Sequence, residues 1–421
     1  MKVIYKKMKK LLLSNAAEVV TFSGETAKKG SEMSKPLVIK NGCVLINGEI
    51  IEAVFPMSEI SRFDISNAEI IDCTDKTVTS GFVDCHTHFI FGGYREEEFN
   101  DRLNGMSYME IMRRGGGIVN TVAKTRAATT DELFSEGKKR LQQYLEYGVT
   151  TIEGKSGYGL DIDTELKQLS VMDRLNNAQP VEIIQTYMGA HATPGEFDTA
   201  DRYIDFIIEK VLPQIKEKTN AEFCDIFCEK NVFDVSQSVR LLTAAKKLGF
   251  GLKMHAEEIV PLGGSGIACE MGATSVEHLL HIDETNINKL SKSGTIGVLL
   301  PATAFSLKEP YAPARKMIDG GCAVAVASDL NPGSCYTQSI PLIIALSCMY
   351  MNMTIAETLC ALTLNAACAI NRGGTIGSLE KGKQADVVIH GVPSLKFLSY
   401  NFCVNHAQTV IKKGKIVLNK I

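Results

Sequence analysis

At 421 residues the chain exceeds the usual single-domain size, although single barrels reach this length. Its 45% hydrophobic and 22% charged residues are those of an ordinary folded protein, and a net charge of -3 gives no electrostatic case for nucleic acid or an anionic membrane. No stretch reaches the ~20 apolar residues of a membrane span, so a soluble, cytoplasmic protein is expected.

In chain order, the basic segment Met1 to Asn15 holds the apolar run Leu11-Leu12-Leu13, too brief for a secretory signal, and Met8 offers an alternative start. Val19 to Phe22, Leu37 to Ile39, Cys43 to Ile46, Ile50-Ile51, Ile70 to Asp72 and Thr77-Val78 read as short strands. Asn41-Gly42 and Asn47-Gly48, each between apolar runs, predict hairpin turns. Residues 1–79 are therefore expected to form part of a small β-domain. The next apolar run ends in His86-Thr-His88. Alternate side chains of a strand share a face, so the two imidazoles are expected to point together. Gly92-Gly93 then permits a tight turn.

Beyond this point strands alternate with helices. Helices are predicted over Ser107 to Arg114, Thr130 to Tyr147, Thr164 to Asn177, Asp201 to Lys218, Ser236 to Leu248, Ile267 to Met271, Ala314 to Gly320 and Ile340 to Met351. Between them, strands are predicted over Val149 to Glu153, Val181 to Tyr187, Cys224 to Cys228, Gly251 to His255, Ser275 to His278, Ile296 to Leu300 and Val324 to Asp329. Roughly eight β/α units over residues 80–372 predict a (β/α)8 barrel. No Gly-x-Gly-x-x-Gly follows the first strand, which argues against a dinucleotide fold. Strands return at Gly382 to Ile389, Asn405 to Ile411 and Gly414 to Leu418. The expected architecture is α/β: a barrel over 80–372, flanked by a small β-sandwich domain built from 1–79 and 373–421. The twelve cysteines are scattered, with only Cys224 and Cys228 close together, so they read as reduced thiols.

Barrel chemistry sits at the C-terminal ends of the strands. His86 and His88, Glu153 to Tyr158, His191, His255 with Glu258, His278 and Asp329 all fall at such ends. Each alone has a structural reading: His191 as a loop histidine, Asp329 as a helix cap. Their recurrence on one type of element argues for a site. His86, His88, His255 and Asp329 offer three imidazoles and a carboxylate, suited to Zn2+ or Fe2+ with one position left for an activated water. Glu258 could then move protons between that water and a leaving nitrogen, and His278 could orient the nucleophile or stabilise an oxyanion. Glu258, His278 and Asp329 are the expected catalytic set, and hydrolysis of a C–N bond is the expected reaction.

The order His-x-His, His, His, Asp resembles the amidohydrolase superfamily. Gly92-Gly-Tyr-Arg-Glu-Glu-Glu-Phe99, Gly115-Gly-Gly-Ile118, Lys155-Ser-Gly-Tyr-Gly-Leu160, Gly189-Ala-His191, His255-Ala-Glu-Glu258, Glu277-His278, Ser328-Asp-Leu-Asn-Pro-Gly-Ser334 and Asn405-His406 narrow the resemblance to its imidazolonepropionase family. The likeness runs from about residue 80 to the C-terminus. It implies opening of the ring of 4-imidazolone-5-propanoate to N-formimidoyl-L-glutamate, a step of histidine degradation. It also implies one divalent metal on His86, His88, His255 and Asp329. Arg95, Tyr108, Tyr158, His191, Glu258, Asn331, Gly333 and Ser334 are implied to meet substrate, and the assembly is implied to be a homodimer. The propionate suits the guanidinium of Arg95; the structural reading of that residue is an ion pair with Glu96, Glu97 or Glu98. Some relatives hold two metals bridged by a carboxylated lysine, but the resemblance is to a one-metal subtype, so Lys155 is expected to be structural or to support the metal ligands from behind. A purine or pyrimidine deaminase shares the ligand pattern and stands as an alternative, as does a non-catalytic scaffold on the same fold.

Overall fold

The computed structural model describes residues 10–106, 110 and 113–420. The alternative start at Met8, Tyr108 and most of the helix expected over Ser107 to Arg114 lie outside the described residues. The first five strands are β1 (Lys10–Thr21), β2 (Leu37–Asn47), β3 (Ile50–Pro56), β4 (Ala68–Asp72) and β5 (Thr77–Ser80). Asn47 pairs with Ile50 across a two-residue turn in which Gly48 has φ 62°, so the second expected hairpin is present. The first is not. β2 runs through Asn41-Gly42 without turning, and its register against β1 shifts between Leu13↔Val44 and Ala16↔Gly42. One extra residue on β1 makes a β-bulge, with Asn15 and Asn41 in left-handed conformations (φ 58° and 45°) that asparagine tolerates.

The barrel follows as β6 (Phe82–Asp84), β7 (Val149–Lys155), β8 (Glu182–Ala190), β9 (Phe223–Cys228), β10 (Gly251–Ala256), β11 (Ser275–His278), β12 (Ile296–Leu299) and β13 (Val324–Val326). These form one parallel sheet in sequential order. A bridge between Thr87 and Leu330 links its two edges, as a barrel requires. Both edge strands are shorter than expected, so His86, His88 and Asp329 lie just beyond strand ends. Hydrogen bonds of the closure hold them instead: His88 N donates to Leu330 O at 2.9 Å, and Asp329 N to His86 O at 3.0 Å.

Helices pack around this sheet. The helix Thr130–Glu146 starts with a reciprocal capping box between Thr129 and Glu132, and buries Leu141, Tyr144 and Leu145 in a core shared with Ile152 and Leu175. Each such side chain contributes about 1.5–3 kcal/mol by leaving water. The helix expected over Asp201 to Lys218 is interrupted: a π-turn at Ile207–Val211 separates Ala200–Phe206 from Leu212–Lys218, where Pro213 lacks the amide that a regular helix would use.

The last strands, β14 (Val387–His390), β15 (Ala407–Lys412) and β16 (Lys415–Asn419), return to the first sheet. Its order is β16-β15-β14-β5-β1-β2-β3, with β4 alongside β1, so one mixed sheet uses both chain ends. Leu13, Val44 and Ile46 share a core with Val387, Ile389 and Ile411, as a sandwich requires, although the strands form one continuous sheet. Lys412 ties this sheet to the barrel, with Nζ 2.8 Å from Asp386, 3.1 Å from Glu182 and 3.2 Å from Thr151 Oγ1. Among the described residues no helix is long and apolar enough to cross a membrane.

Candidate active site

The barrel closure and the end of β10 bring His86, His88 and His255 together, with ligand atoms within 4.8 Å of one another. His88 Nε2 lies 3.3 Å from His255 Nε2, and Asp329 Oδ1 is 3.4 Å from His86 Nε2 and 3.8 Å from His88 Nε2. His278 joins His86 and Asp329 in a second group of the same compactness. The outer nitrogens of two of these rings face carboxylates: His86 Nδ1 lies 3.2 Å from Glu277, and His255 Nδ1 lies 3.0 Å from Asp225. A proton on each Nδ1 therefore leaves the Nε2 lone pairs aimed at one point. Burial holds His86 and His88 well below the usual imidazole pKa and His255 down to about 3, so the rings are neutral. Imidazole nitrogens converging beside a buried carboxylate fit a divalent cation. Burial also pushes Asp329 up to about 7, against hydrogen bonds from Thr303 and Asn331 that stabilise its charge. The Thr303 hydroxyl donates to Asp329 Oδ2 at 2.6 Å and leaves Oδ1 for the metal side.

Beneath the ligands lies a buried ionic cluster. Lys155 Nζ is 2.7 Å from Asp225, 3.0 Å from Glu153 and 3.1 Å from Glu277. Lys253 Nζ is 3.2 Å from Glu153 and 3.3 Å from Glu277. Burial works against the Lys155 ammonium, but the three carboxylates outweigh it and raise its pKa well above the usual value. An amine so held has no lone pair for carboxylation. Asp225 and Lys253 were not singled out from the sequence, and Glu277 was noted only within the motif Glu277-His278. A signal was available: Lys253 and His255, like Glu153 and Lys155, sit two apart on one strand and so share the face towards the barrel axis.

Around this centre stand the remaining candidates. Glu258 Oε2 is 3.6 Å from His278 Nε2. Burial, and then the charge of Asp329, pushes Glu258 up to about 8. His191 stacks on His88 with ring centroids 5.0 Å apart, and its Nδ1 meets Gly157 O at 3.1 Å. The Tyr158 ring lies 5.8 Å from His88 and 5.3 Å from His191. Its phenol is held above its usual pKa by burial, then by Asp329 and Glu258 against Arg95, which places it among all three. Glu165, also unnoticed in the sequence, clamps the Tyr158 loop by accepting from Gly157, Gly159 and Leu160.

Arg95 does pair with Glu98, at 2.8 Å, but both side chains are largely buried, so the pair is not a surface one. A Cβ at Gly333 would come within 2.1 Å of Arg95 Nη1, so only glycine lets the guanidinium lie against this loop. Asn331 shapes the loop: its Oδ1 accepts from Gly333 N and Ser334 N, and its Nδ2 donates to Asp329 O at 2.8 Å. The Ser334 hydroxyl bonds to Asn331 as well. The loop thereby links Asp329 to the Arg95 end.

A barrel with histidines and an aspartate at its strand ends, capped by a sheet from both termini, defines a class of metal-dependent hydrolases. The model of the amidohydrolase family matches residues 77–417, and the chain belongs to that family. Within it, the chain belongs with the imidazolonepropionases. That of Parabacteroides distasonis is 52% identical over 412 residues, covering 97% of this chain and 99% of the relative. That of Clostridium tetani is also 52% identical over 412 residues, covering 97% and 98%. Among solved structures, an adenosine deaminase from Xanthomonas campestris with bound zinc superimposes with a TM-score of 0.71 at 16% identity, covering 97% of this chain and 93% of that one. Guanine deaminase of Escherichia coli gives 0.73 at 12% identity, covering 98% and 100%. At such identities the likeness is one of fold.

Proposed function

We propose that the chain hydrolyses 4-imidazolone-5-propanoate to N-formimidoyl-L-glutamate, using one divalent metal ion, Zn2+ or Fe2+, held by His86, His88, His255 and Asp329. The observation that carries this reading is the juxtaposition of Glu258 and His278, 3.6 Å apart, beside the converging imidazoles of His86, His88 and His255. The bound ion would supply Lewis acidity towards the attacking water and the ring carbonyl.

The protein's own groups account for the rest. Arg95 offers its guanidinium to the propionate, and Tyr158 and His191 border the ring. Water adds to the carbonyl carbon while Glu258 takes one of its protons. The His278 imidazole faces the oxygen on which negative charge develops. The ring C–N bond then breaks, and Glu258 returns the proton to the leaving nitrogen. The carbonyl carbon becomes the carboxylate of the product, and the formimidoyl group stays on nitrogen. Asn331, Gly333 and Ser334 shape the pocket wall between the two ends, and Tyr108 belongs to the same substrate set by likeness to the family. The same likeness supports a homodimer in the cytoplasm, and a division into a barrel at 80–372 and a β-domain of 1–79 with 373–421.

The test is an ultraviolet assay of metal-loaded protein with fresh imidazolone propionate. The imidazolone absorbance should disappear, and a chelator or His255→Ala should abolish the loss. Decay at only the spontaneous rate with metal bound would sink the reading. Ammonia release from purines or cytosine would favour a deaminase instead.

A further inference from the structure

The reaction needs the ligands and the acid–base pair, yet a fully buried cluster of two lysines and three carboxylates lies underneath them. We propose that Lys155 is the positioning residue of the metal centre, holding Asp225 and Glu277 against the outer nitrogens of His255 and His86. The inference rests on the reading of those two histidines as metal ligands.

The same oxygens do both jobs. Asp225 Oδ2 lies 2.7 Å from Lys155 Nζ and 3.0 Å from His255 Nδ1. Glu277 Oε2 lies 3.1 Å from Lys155 Nζ and 3.2 Å from His86 Nδ1. The third Lys155 contact, 3.0 Å to Glu153 Oε1, completes a tripod, and that oxygen is itself held by the Thr186 hydroxyl. An ammonium has three donors, and all three are spent. Lys253 reaches the other oxygens instead, Glu277 Oε1 and Glu153 Oε2, so it balances charge without touching an oxygen that faces an imidazole. Three carboxylates face two ammonium groups behind the imidazoles, and those that accept from the outer nitrogens raise the rings' basicity towards a metal. Without Lys155, Asp225 and Glu277 would repel each other in a dry interior and swing out of line with the rings. The tripod also fills the space between two groups whose donors could themselves hold an ion, Asp225 with His255 and Glu277, and His86 with Glu153 and Glu277.

The experiment compares Zn2+ affinity by chelator competition, and the visible spectrum after Co2+ loading, in the wild type, Lys155→Met, Lys253→Met and Asp225→Asn. Lys155→Met and Asp225→Asn should bind Zn2+ roughly 10–100-fold more weakly and alter the Co2+ bands. Lys253→Met should stay within a few-fold of wild type. A folded Lys155→Met protein with unchanged Zn2+ affinity and Co2+ spectrum overturns the proposal. If Lys155→Met does not fold, Asp225→Asn decides on the same two readouts. Equal loss in Lys253→Met also overturns it, since bulk charge would then suffice. A wild type that takes up no divalent ion overturns the metal reading itself, and this inference with it.

Discussion

Glu258 and Asp329 share a buried pocket in which two carboxylates cannot both stay charged without a cation. Asp329 faces His86 and His88, where a metal would compensate it. Glu258 faces His278, and with no cation beside it burial holds its proton to about 8; a bound cation would lower that value towards neutral pH, where the carboxylate can take a proton from water and return it. Glu258→Gln is nearly isosteric and removes only that ability. It should lower kcat by about 10²–10⁴ with metal content unchanged, as metal analysis beside steady-state kinetics would show. A variant of wild-type kcat would exclude Glu258 from proton transfer. At this scale the sequence was readable where chemistry coincided with strand ends: His86, His88, His255, His278 and Asp329 could be named from residue type and order. Asp225 and Lys253 escaped, and Glu277 was read only as part of a motif, because spacing within a strand gives a shared face but not the partners, which lie 70 to 122 residues away for Lys155 with Asp225 and Glu277.

The short helix Glu96–Leu103 works as a single element on the substrate side. Arg95 stands at its N-cap, and Glu98, one turn on, fixes the guanidinium while also accepting from Gly117 N and Asn120. Arg102, one turn further, donates to Gly333 O and so ties the helix to the loop that Asn331 organises. Arg95→Met should raise KM roughly 10–100-fold, the range of a charge-assisted hydrogen bond, with kcat changed only a few-fold. The check is to compare the substrate with an analogue lacking the carboxylate: the penalty should vanish for the analogue, and an equal penalty would remove Arg95 from carboxylate recognition. Other elements show what pattern alone conveys. Asn41-Gly42 carried a turn signal, yet β2 runs straight through it beside the bulge on β1, because the register of a long two-stranded contact outweighs a local preference. The interruption at Ile207–Val211 likewise depends on how Pro213 is accommodated, which hydrophobic period does not reveal.

For the molecule as a whole, alternation of strands and helices between two β-rich ends was enough to anticipate a barrel with a terminal sheet. How the two parts lock together was not legible, because the contacts join residues hundreds of positions apart. Besides the Lys412 clasp, the junction contains His390 on β14, whose Nε2 lies 3.0 Å from Thr79 Oγ1 and whose ring lies 5.6 Å from that of Phe82, the first residue of the barrel. Burial, and secondarily the nearby His406, lowers His390 to about 3 from an ordinary value of 6.5. Between those values the unfolded chain takes up a proton that the folded chain refuses. The stability that neutral His390 confers is thus fully present above pH 6.5 and drains away as the pH falls towards 3, by up to about 1.4 kcal/mol per pH unit. The metal-site histidines bend the curve in the same direction, so the informative quantity is a difference between proteins. His390→Gln removes the titrating ring but can still reach Thr79. Its unfolding temperature should fall less steeply than that of wild type between pH 6.5 and 5, even if it is lower at pH 7.5. Parallel slopes would mean that acid opens the molecule elsewhere, and that the seam between barrel and terminal sheet is not where protons act.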